Sequence, residues 1–384
     1  CSDFKDFSEI RLDCQEILDN LLLKNVTSII LNPAAPIKID STFDPSKIKF
    51  PVQEFTFSNI NGIEIVNSPF AEIKRPYSLT LSNSLVDFYK NGKLLKENDC
   101  SKQVYDKTSI FKNMQDITLE NVNSLTPVCP LALQKLQFSL KLSNFNKKSN
   151  LSFIDMSFAE QATISNLLIA DSRISLTNSF ISKSMLRNVS EMTFENSDIV
   201  NVSKDIFKGM KYLNVLTFID MNFNKLMTDN VLQTMLEHVN ADFVSNGTFE
   251  LERLVHGYFF IILNERDFNI TDENFCIYKN FPSNRYLIPY FTSQITPECN
   301  CAFRFLNILG PVVRVVFEIN KENKCFSESD YYDHLLDCHI DKKIAECYKK
   351  ENKTNPTGFK YRNLIKSLKN FNVDELKKIM KKED

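Results

Sequence analysis

The stretch Leu79-Thr-Leu-Ser-Asn83 carries the pattern that decides the fold: an apolar residue, any residue, a second apolar residue, any residue, and then Asn or Asp. The pattern occurs seven times, starting at Phe55, Leu79, Ile117, Leu140, Leu167, Met192 and Leu216 and ending at Asn59, Asn83, Asn121, Asn144, Asp171, Asn196 and Asp220. Successive starts are 24, 38, 23, 27, 25 and 24 residues apart. A repeat with a period in the twenties is typical of a solenoid.

The alternation within the pattern predicts a short strand in each repeat. Two apolar residues at a spacing of two point to the same face, which we expect to be the solenoid interior, while the residue between them points outward. The closing Asn falls where the strand ends and the chain bends. Its amide is expected to pair with backbone groups of neighbouring turns. Unrelated sandwich strands could alternate in the same way, but they would not place Asn at a fixed phase.

An aromatic position accompanies the pattern in three repeats. Phe70, Phe158 and Phe207 each stand nine residues before the next start, which predicts an aromatic row on the side opposite the strands.

The pattern resembles the LxxLxLxxN…F repeat of extracellular leucine-rich-repeat proteins of the animal type. The resemblance runs from about Val26 to about Phe223, with degenerate turns at Ser28-Ile-Ile-Leu-Asn32 and Phe260-Ile-Ile-Leu-Asn264. Phe, Met and Ile often replace Leu. The resemblance implies an α/β solenoid, namely a right-handed leucine-rich-repeat horseshoe with short parallel strands on its concave face and disulfide-bonded caps.

The ten cysteines favour bridged caps over a metal site, because their number is even and no CxxC…CxxC or CxxC…HxxxH spacing occurs. They are Cys1, Cys14, Cys100, Cys129, Cys276, Cys299, Cys301, Cys325, Cys338 and Cys347. A start at Cys1 suggests a mature secreted chain from which a signal peptide has been removed, and a bacterial lipoprotein is the alternative. Ile10, Cys14, Ile17, Leu18, Leu21 and Leu22 fall on one helical face, so a Cys1–Cys14 bridge could staple an N-terminal cap helix.

The longest interval between repeats contains an insertion near Cys100. Cys100 and Cys129 precede two consecutive strands, and stacking would bring them close together, so we predict a bond between them.

The segment Cys299-Asn-Cys301, followed by Cys325, Cys338 and Cys347, resembles the C-terminal cysteine cap of extracellular repeat proteins. In that cap a CxC opens a helix and later cysteines bridge back to it. The resemblance implies that Cys299 or Cys301 pairs with Cys325 and Cys338, leaving Cys276 for Cys347. Phe305 stands where the family usually has Trp, and a redox or metal-binding CxC is the alternative interpretation.

These features divide the chain into four parts. We predict an N-terminal cap over 1–25, a repeat array over 26–275 with an insertion near 90–108, a cysteine cap over 276–350 and a basic helical tail over 351–384. The lysines of the tail fit a solvated helix face better than a membrane or polyanion contact.

Composition and the absence of catalytic motifs argue against several classes of function. A net charge of −2 gives no electrostatic case for nucleic acid, and 7 glycines form neither GxGxxG nor a P-loop. The four histidines, His238, His256, His334 and His339, lie in no HExxH motif, and there is no GxSxG. No apolar run is long enough to span a membrane. We therefore predict no enzyme, no cofactor and no metal.

Seven Asn-x-Ser/Thr sequons are candidate glycosylation sites if the chain is secreted. They begin at Asn25, Asn150, Asn188, Asn201, Asn246, Asn269 and Asn352. Their number is close to what the Asn, Ser and Thr content predicts by chance, so the cysteines carry the argument for secretion.

Binding is predicted on the concave face, beside the inward pairs. The outward residues there are Thr56, Thr80, Thr118, Lys141, Leu168, Thr193 and Thr217, flanked by Glu54, Asp116, Glu120, Glu191 and Glu195. This polar, mildly acidic surface argues against heparin or nucleic acid and tolerates a basic protein patch. We expect a secreted, non-catalytic binding protein that uses this face for recognition of an extracellular protein or for adhesion. A non-catalytic subunit of a secreted enzyme complex, as in some arthropod enzymes, a matrix component and a homodimer remain open alternatives.

Overall fold

The fold is taken from a computed structural model of the 384-residue chain. It describes residues 9–12, 28–31, 37–39, 53–65, 76–101, 104, 114–133, 137–146, 149–154, 163–177, 180–181, 183–207, 210, 212–236, 259–264, 271–279, 287–291, 300–302, 305 and 338–351. The chain forms two compact units, Cys1–Leu213 and Asn214–Asp384.

The first unit is a parallel β-solenoid. Its strands in chain order are β1 (Glu9–Leu12), β2 (Ser28–Leu31), β3 (Ile37–Ile39), β4 (Glu54–Ser58), β5 (Ile60–Glu64), β6 (Tyr77–Ser82), β7 (Leu85–Lys90), β8 (Lys93–Leu94), β9 (Met114–Glu120), β10 (Gln137–Ser143), β11 (Thr163–Ala170), β12 (Arg173–Leu176), β13 (Glu191–Glu195) and β14 (Asp198–Val202). The long sheet has the order β1-β2-β4-β6-β9-β10-β11-β13, and all of these neighbours are parallel. In the long sheet, each strand therefore lies beside the equivalent strand of the next turn of the coil.

The apolar pairs of the repeat form the core, as predicted. Phe55 and Phe57 are 2% and 0% exposed, and the same two positions are buried in every later repeat. The buried pairs that follow in this unit are Leu79 and Leu81, Ile117 and Leu119, Leu140 and Leu142, Leu167 and Ile169, and Met192 and Phe194. Burying one such side chain stabilises a fold by about 1.5–3 kcal/mol, so the stacked pairs dominate the stability of the solenoid.

The seven closing Asn and Asp residues occupy equivalent corners, because each has a left-handed backbone with φ between 42° and 60°. Among residues with a Cβ, Asn and Asp adopt this conformation most readily. At five of the corners the backbone N–H donates to the carbonyl that ends the next strand, as Asn83 does to Glu120 at 3.0 Å. The residue type is thus set chiefly by the backbone conformation.

The corner amides were expected to bond with backbone groups. At three corners they donate to side chains instead. Asn121 Nδ2 donates to Asn83 Oδ1 at 2.7 Å, Asn144 Nδ2 to Glu120 Oε1 at 2.8 Å, and Asn196 Nδ2 to Asp171 Oδ1 at 2.7 Å. These bonds join side chains of adjacent turns at the exposed surface.

The α/β part of the expectation is not confirmed, because the described residues on the return side of the coil form more sheet than helix. One further sheet has the order β3-β5-β7-β8 and another pairs β12 with β14. The α-helices described in this unit are two single turns, α1 (Lys183–Leu186) and α2 (Lys204–Phe207), and short 3-10 helices occur at Glu97–Asp99 and Pro130–Leu133. Phe207, from the predicted aromatic row, is 2% exposed. Because an extended return segment can pair with its neighbour, sheet forms where the family resemblance implies helix.

The insertion near Cys100 begins as a hairpin. β7 and β8 are antiparallel and are joined by Asn91-Gly92, with φ of 51° and 73°. Positive φ at both central residues defines the two-residue turn that matches the twist of paired strands. The Cys100–Cys129 disulfide is present and ties the insertion to the following turn.

The N-terminal helix prediction is wrong at its first residue. Ile10 lies in β1, which pairs in register with β2. A short apolar run does not distinguish a helix from a strand by itself, and here strand pairing decides. The degenerate turn at Ser28 does supply the predicted strand, β2.

The second unit also contains parallel strands, β15 (Val215–Ile219), β16 (Phe259–Asn264) and β17 (Leu287–Phe291), in that order. β16 contains the predicted degenerate turn at Phe260. The α-helices described here are α3 (Phe223–Thr228), α4 (Val231–Leu236), α5 (Phe275–Tyr278) and α6 (Ile340–Lys350), and a 3-10 helix at Asp272–Asn274 precedes α5.

Two disulfides hold the described part of the C-terminal cap, Cys276–Cys347 and Cys301–Cys338. The first is the pair implied by the resemblance, and the second is one of its alternatives. Asp272 links three segments, because Oδ1 accepts from the Ala302 N–H at 2.8 Å and Oδ2 lies 3.0 Å from Lys343 Nζ. The cap therefore combines covalent and polar links.

Some predictions fall outside the described residues. They concern Cys1, Cys14, Cys299 and Cys325, the sequons at Asn25, Asn246, Asn269 and Asn352, the row positions Phe70 and Phe158, three of the histidines and the tail beyond Glu351.

Candidate functional site

The outward positions between the buried pairs form one straight row across the first unit, which we call the middle row. Strand pairing aligns Thr56 with Thr80, Thr80 with Thr118, Thr118 with Lys141, Lys141 with Leu168, and Leu168 with Thr193. The threonines are half-buried and Lys141 is exposed. Thr217 occupies the equivalent place in the second unit, in register with Ile262.

Two acidic rows flank the middle row. Along the beginnings of the strands, Glu54, Asp116 and Glu191 lie in one row with the polar residues Ser78, Ser139 and Asn166. Along the strand ends, Glu120 and Glu195 lie in another row with Ser82, Ser143 and Ala170. Adjacent members of a row are separated by about 4.8 Å, the spacing of neighbouring strands.

The predicted carboxylates are not equivalent. Asp116 Oδ2 accepts from Ser78 Oγ at 3.2 Å, and Glu120 accepts from Asn144, so these two connect adjacent turns. Glu54 and Glu191 are exposed at the surface. From Thr56 to Thr193, Lys141 is the one basic residue of these three rows. In β1, Arg11 continues the middle row through Ile30, and Glu9 continues the first acidic row through Ser28. Acidic residues therefore outnumber basic ones in the described rows.

Serines that follow the corners were missed by the sequence analysis. Ser172 Oγ accepts from the Phe145 N–H at 3.0 Å and donates to the carbonyl of Ala170. Ser84 and Ser197 make the same two kinds of bond at their corners. The recurrence of Ser directly after a corner, in three of the seven repeats, was the available signal.

A buried carboxylate in β7 was also missed. Asp87 is 1% exposed, and its Oδ1 accepts from the backbone N–H groups of Leu125 and Thr126 at 2.9 and 3.3 Å. It thereby fixes the loop that leads to Cys129. The signal was a charged residue inside the otherwise apolar stretch Leu85–Phe88.

Two tyrosines of this unit have altered acidity. Burial raises the pKa of Tyr77, because the phenolate would lose its hydration. Burial, and then the negative charge of Asp87, raise the pKa of Tyr89. The Tyr89 ring also lies 3.7 Å from Lys38 Nζ. Tyr77 begins β6 of the long sheet and Tyr89 lies in β7 of the return side, and neither belongs to the outward rows.

The three described sequons lie away from the outward rows. Asn150 and Asn201 are exposed, whereas Asn188 is half-buried in the turn before β13. Glycans at these positions would leave the strand face accessible.

Within the described ranges, no cluster of three or more His, Cys, Asp or Glu side chains is arranged to hold a metal ion. The same residues include no helix with the length and apolar character that crossing a bilayer requires. No protein-family model matches the sequence, and no curated protein or solved structure is significantly similar to it.

Proposed function

We propose that this chain is a secreted, non-catalytic protein of the leucine-rich-repeat type, and that the strand face of its first unit binds a basic surface of another extracellular protein. The observation that carries the proposal is the register of the outward side chains, which places separate repeats in continuous rows. Solenoids present such rows as extended binding surfaces.

The repeat type is supported by the corners. A left-handed Asn or Asp closes each of the seven strands, at intervals of 23–27 residues apart from the one that holds the insertion. The six strands of the first unit that carry the pattern stack in parallel. The described residues of the return side form mostly sheet, which does not support the helical return of the horseshoe. The proposal therefore rests on the strand side of the repeat, where pattern and structure coincide.

Secretion is supported by the disulfides. Three bonds are present, at Cys100–Cys129, Cys276–Cys347 and Cys301–Cys338. Such bonds form and persist in oxidising compartments and are rare where thiols are kept reduced. An oxidising environment outside the cytosol is the simplest setting for a chain with this many bridges.

The partner class follows from the charge of the face. Glu54 and Glu191 are exposed, and Asp116, Glu120 and Glu195 lie in the same two rows. The basic residues of the middle row are Lys141 and Arg11. A surface of this sign attracts a basic patch and repels nucleic acid and sulfated glycans. Threonine hydroxyls between the acids can accept and donate hydrogen bonds to a polar partner.

Charge reversal on the face tests the proposal. The partner is captured from native secretions, identified, purified and titrated against the wild-type chain and the E191K/E195K variant. Reversal replaces attraction by repulsion at two sites, so we expect the Kd to rise about tenfold or more. The control variant E97K/E346K has the same change in net charge at exposed positions outside the rows. Equal affinities of wild type and E191K/E195K, or equal weakening by both variants, would contradict the proposal.

A further inference from the structure

The two Asn-Gly dipeptides that the structure describes lie in contrasting surroundings. Asn91-Gly92 forms the exposed turn of the β7–β8 hairpin, and no atom lies within 4 Å of the place where a Cβ on Gly92 would stand. Asn61-Gly62 lies inside β5, where Gly62 is buried. A third dipeptide, Asn246-Gly247, falls outside the described residues.

Asn-Gly is the dipeptide best suited to internal attack of the backbone on a side chain. Without a Cβ, the glycine nitrogen can approach the preceding Asn Cγ with little steric hindrance. Attack forms a nitrogen–carbon bond and expels the side-chain nitrogen as ammonia, leaving a five-membered succinimide. Water then opens the ring at either carbonyl, giving aspartate or isoaspartate. A base removes the proton from the glycine N–H, and the departing amide nitrogen takes up one proton to leave as ammonia, so the step needs no oxidant or metal.

A carboxylate is placed at the required atom. The Gly92 N–H donates to Glu64 Oε2, with 3.2 Å between nitrogen and oxygen. The other oxygen, Oε1, is buried and has no hydrogen-bond partner among the described residues, so the carboxylate is not held by a competing donor on that side. Hydrogen-bond distance to the transferred proton is the geometric criterion for a general base.

We infer that Asn91 is a site of self-catalysed deamidation, with Glu64 as the general base that deprotonates the Gly92 amide. The product carries one additional negative charge at the tip of the insertion, or an isoaspartate that lengthens the backbone of the turn. Because the two-residue turn requires positive φ at both positions, the isoaspartate form disrupts the hairpin. The modification therefore alters the surface next to Glu64 with time.

Asn61 serves as an internal reference in the same chain, because the fold hinders deamidation there. The Tyr89 ring packs against Gly62 so closely that a Cβ there would lie 2.4 Å from Tyr89 Cε2. The backbone at Gly62 has a φ of 113° and belongs to a sheet. Movement of the glycine nitrogen toward Asn61 Cγ would break this packing, so the reaction at Asn61 is slow while the protein is folded.

The test is a time course of the folded, full-length chain at neutral pH, with chymotryptic peptide mapping by mass spectrometry and an isoaspartyl methyltransferase assay. The variants are E64Q, which removes the carboxylate, and E97Q, which removes an exposed carboxylate that does not contact the turn. The denatured full-length chain gives the rate of deamidation at each Asn-Gly dipeptide in the absence of folded structure. A well-placed base contributes about a hundredfold or more, and this one is accessible to water, so we expect Asn91 to react about tenfold faster in the folded chain.

The expected pattern is fast conversion at Asn91 and slow conversion at Asn61, with Asn91 slowed about tenfold in E64Q and unchanged in E97Q. Hydrogen exchange across 85–94 must stay the same in E64Q, which shows that the hairpin persists. A folded-state rate at Asn91 no higher than the denatured rate overturns the inference, as does an unchanged rate in E64Q. A slow rate in E64Q accompanied by faster exchange also overturns it, because the hairpin rather than the base would then set the rate.

Discussion

Replacing the corner residue Asn121 by Ala and by Gly separates the two reasons for an Asn at this place. The backbone of Asn121 is left-handed, with a φ of 48°, and its side chain donates to Asn83 Oδ1 at 2.7 Å. Both substitutions remove the side-chain bond. Only Ala retains a Cβ that opposes the left-handed conformation, whereas Gly adopts it freely.

The expected losses of stability differ by about twofold. The exposed side-chain bond contributes about 0.5 kcal/mol, at the low end for a hydrogen bond. A left-handed backbone costs Ala about 1.5 kcal/mol, so N121A should lose about 2 kcal/mol in all. Gly avoids that strain but adds freedom to the unfolded chain, which costs about 0.5 kcal/mol, so N121G should lose about 1 kcal/mol.

Urea unfolding followed by far-ultraviolet circular dichroism measures both losses. The control is Gln115, which is exposed in β9, the strand that Asn121 follows, and has no positive φ. There Gly should be less stable than Ala, because only the freedom of the unfolded chain differs. The reasoning is refuted if N121G is as destabilised as N121A, because the side chain and not the backbone would then explain the corner.

Three further predictions concern the return side and the core. G62A should lower the free energy of unfolding by about 3 kcal/mol, since φ is 113° and the new Cβ would lie 2.4 Å from the Tyr89 ring. At the exposed Gly92, G92A should lower it by about 1 kcal/mol. Equal losses in urea unfolding would contradict this. S172A should lose about 2 kcal/mol, because the buried Phe145 N–H keeps no acceptor, and a loss no larger than that of the exposed S175A would count against it. Because burial raises the pKa of Tyr77, its contribution to stability is complete below the ordinary tyrosine pKa of about 10 and is lost as the pH rises above it. Y77F should therefore resist alkaline unfolding better than wild type, and identical pH profiles would exclude this role.

The strand side of the repeat could be predicted from the sequence because its information is local. The period of two fixes which side chains are buried, and the constant phase of Asn identifies the corner. The residue type at the corner was predicted for the wrong reason, because φ cannot be read from one sequence. Asn83 and Asn121 show that the amide binds its counterpart on the next turn, in addition to the role of the backbone.

The first strand of the long sheet and the return sheets could not be predicted, because tertiary contacts decide them. Residues 9–12 are apolar and charged in a pattern that suits either helix or strand, and pairing with residues 28–31 selects strand. The same ambiguity explains why return sheets were missed. The role of Asp87 could not be predicted either. Its buried carboxylate is explained by the backbone N–H groups of the next turn that donate to it, and these contacts are known only from the structure.

The candidate site was predicted in its membership but not in its internal bonding. The sequence placed the threonines and acids on one face, and strand pairing aligns them in rows. It could not show that Asp116 and Glu120 are used to join adjacent turns, because their donors, Ser78 and Asn144, are 38 and 24 residues away. The exposed Glu191 is therefore a better point for testing recognition.

Cysteine cross-linking across the insertion tests the stacked repeat most directly. Thr80 and Thr118 are 38 residues apart in sequence but directly paired in register, so the T80C/T118C variant should form a disulfide on mild oxidation, detected by non-reducing peptide mapping. The control pair T80C/T193C spans four strand spacings, about 19 Å, and should stay reduced. If T80C/T118C stays reduced while both thiols react with alkylating reagent, the two repeats are not neighbouring turns and the proposed binding rows do not exist.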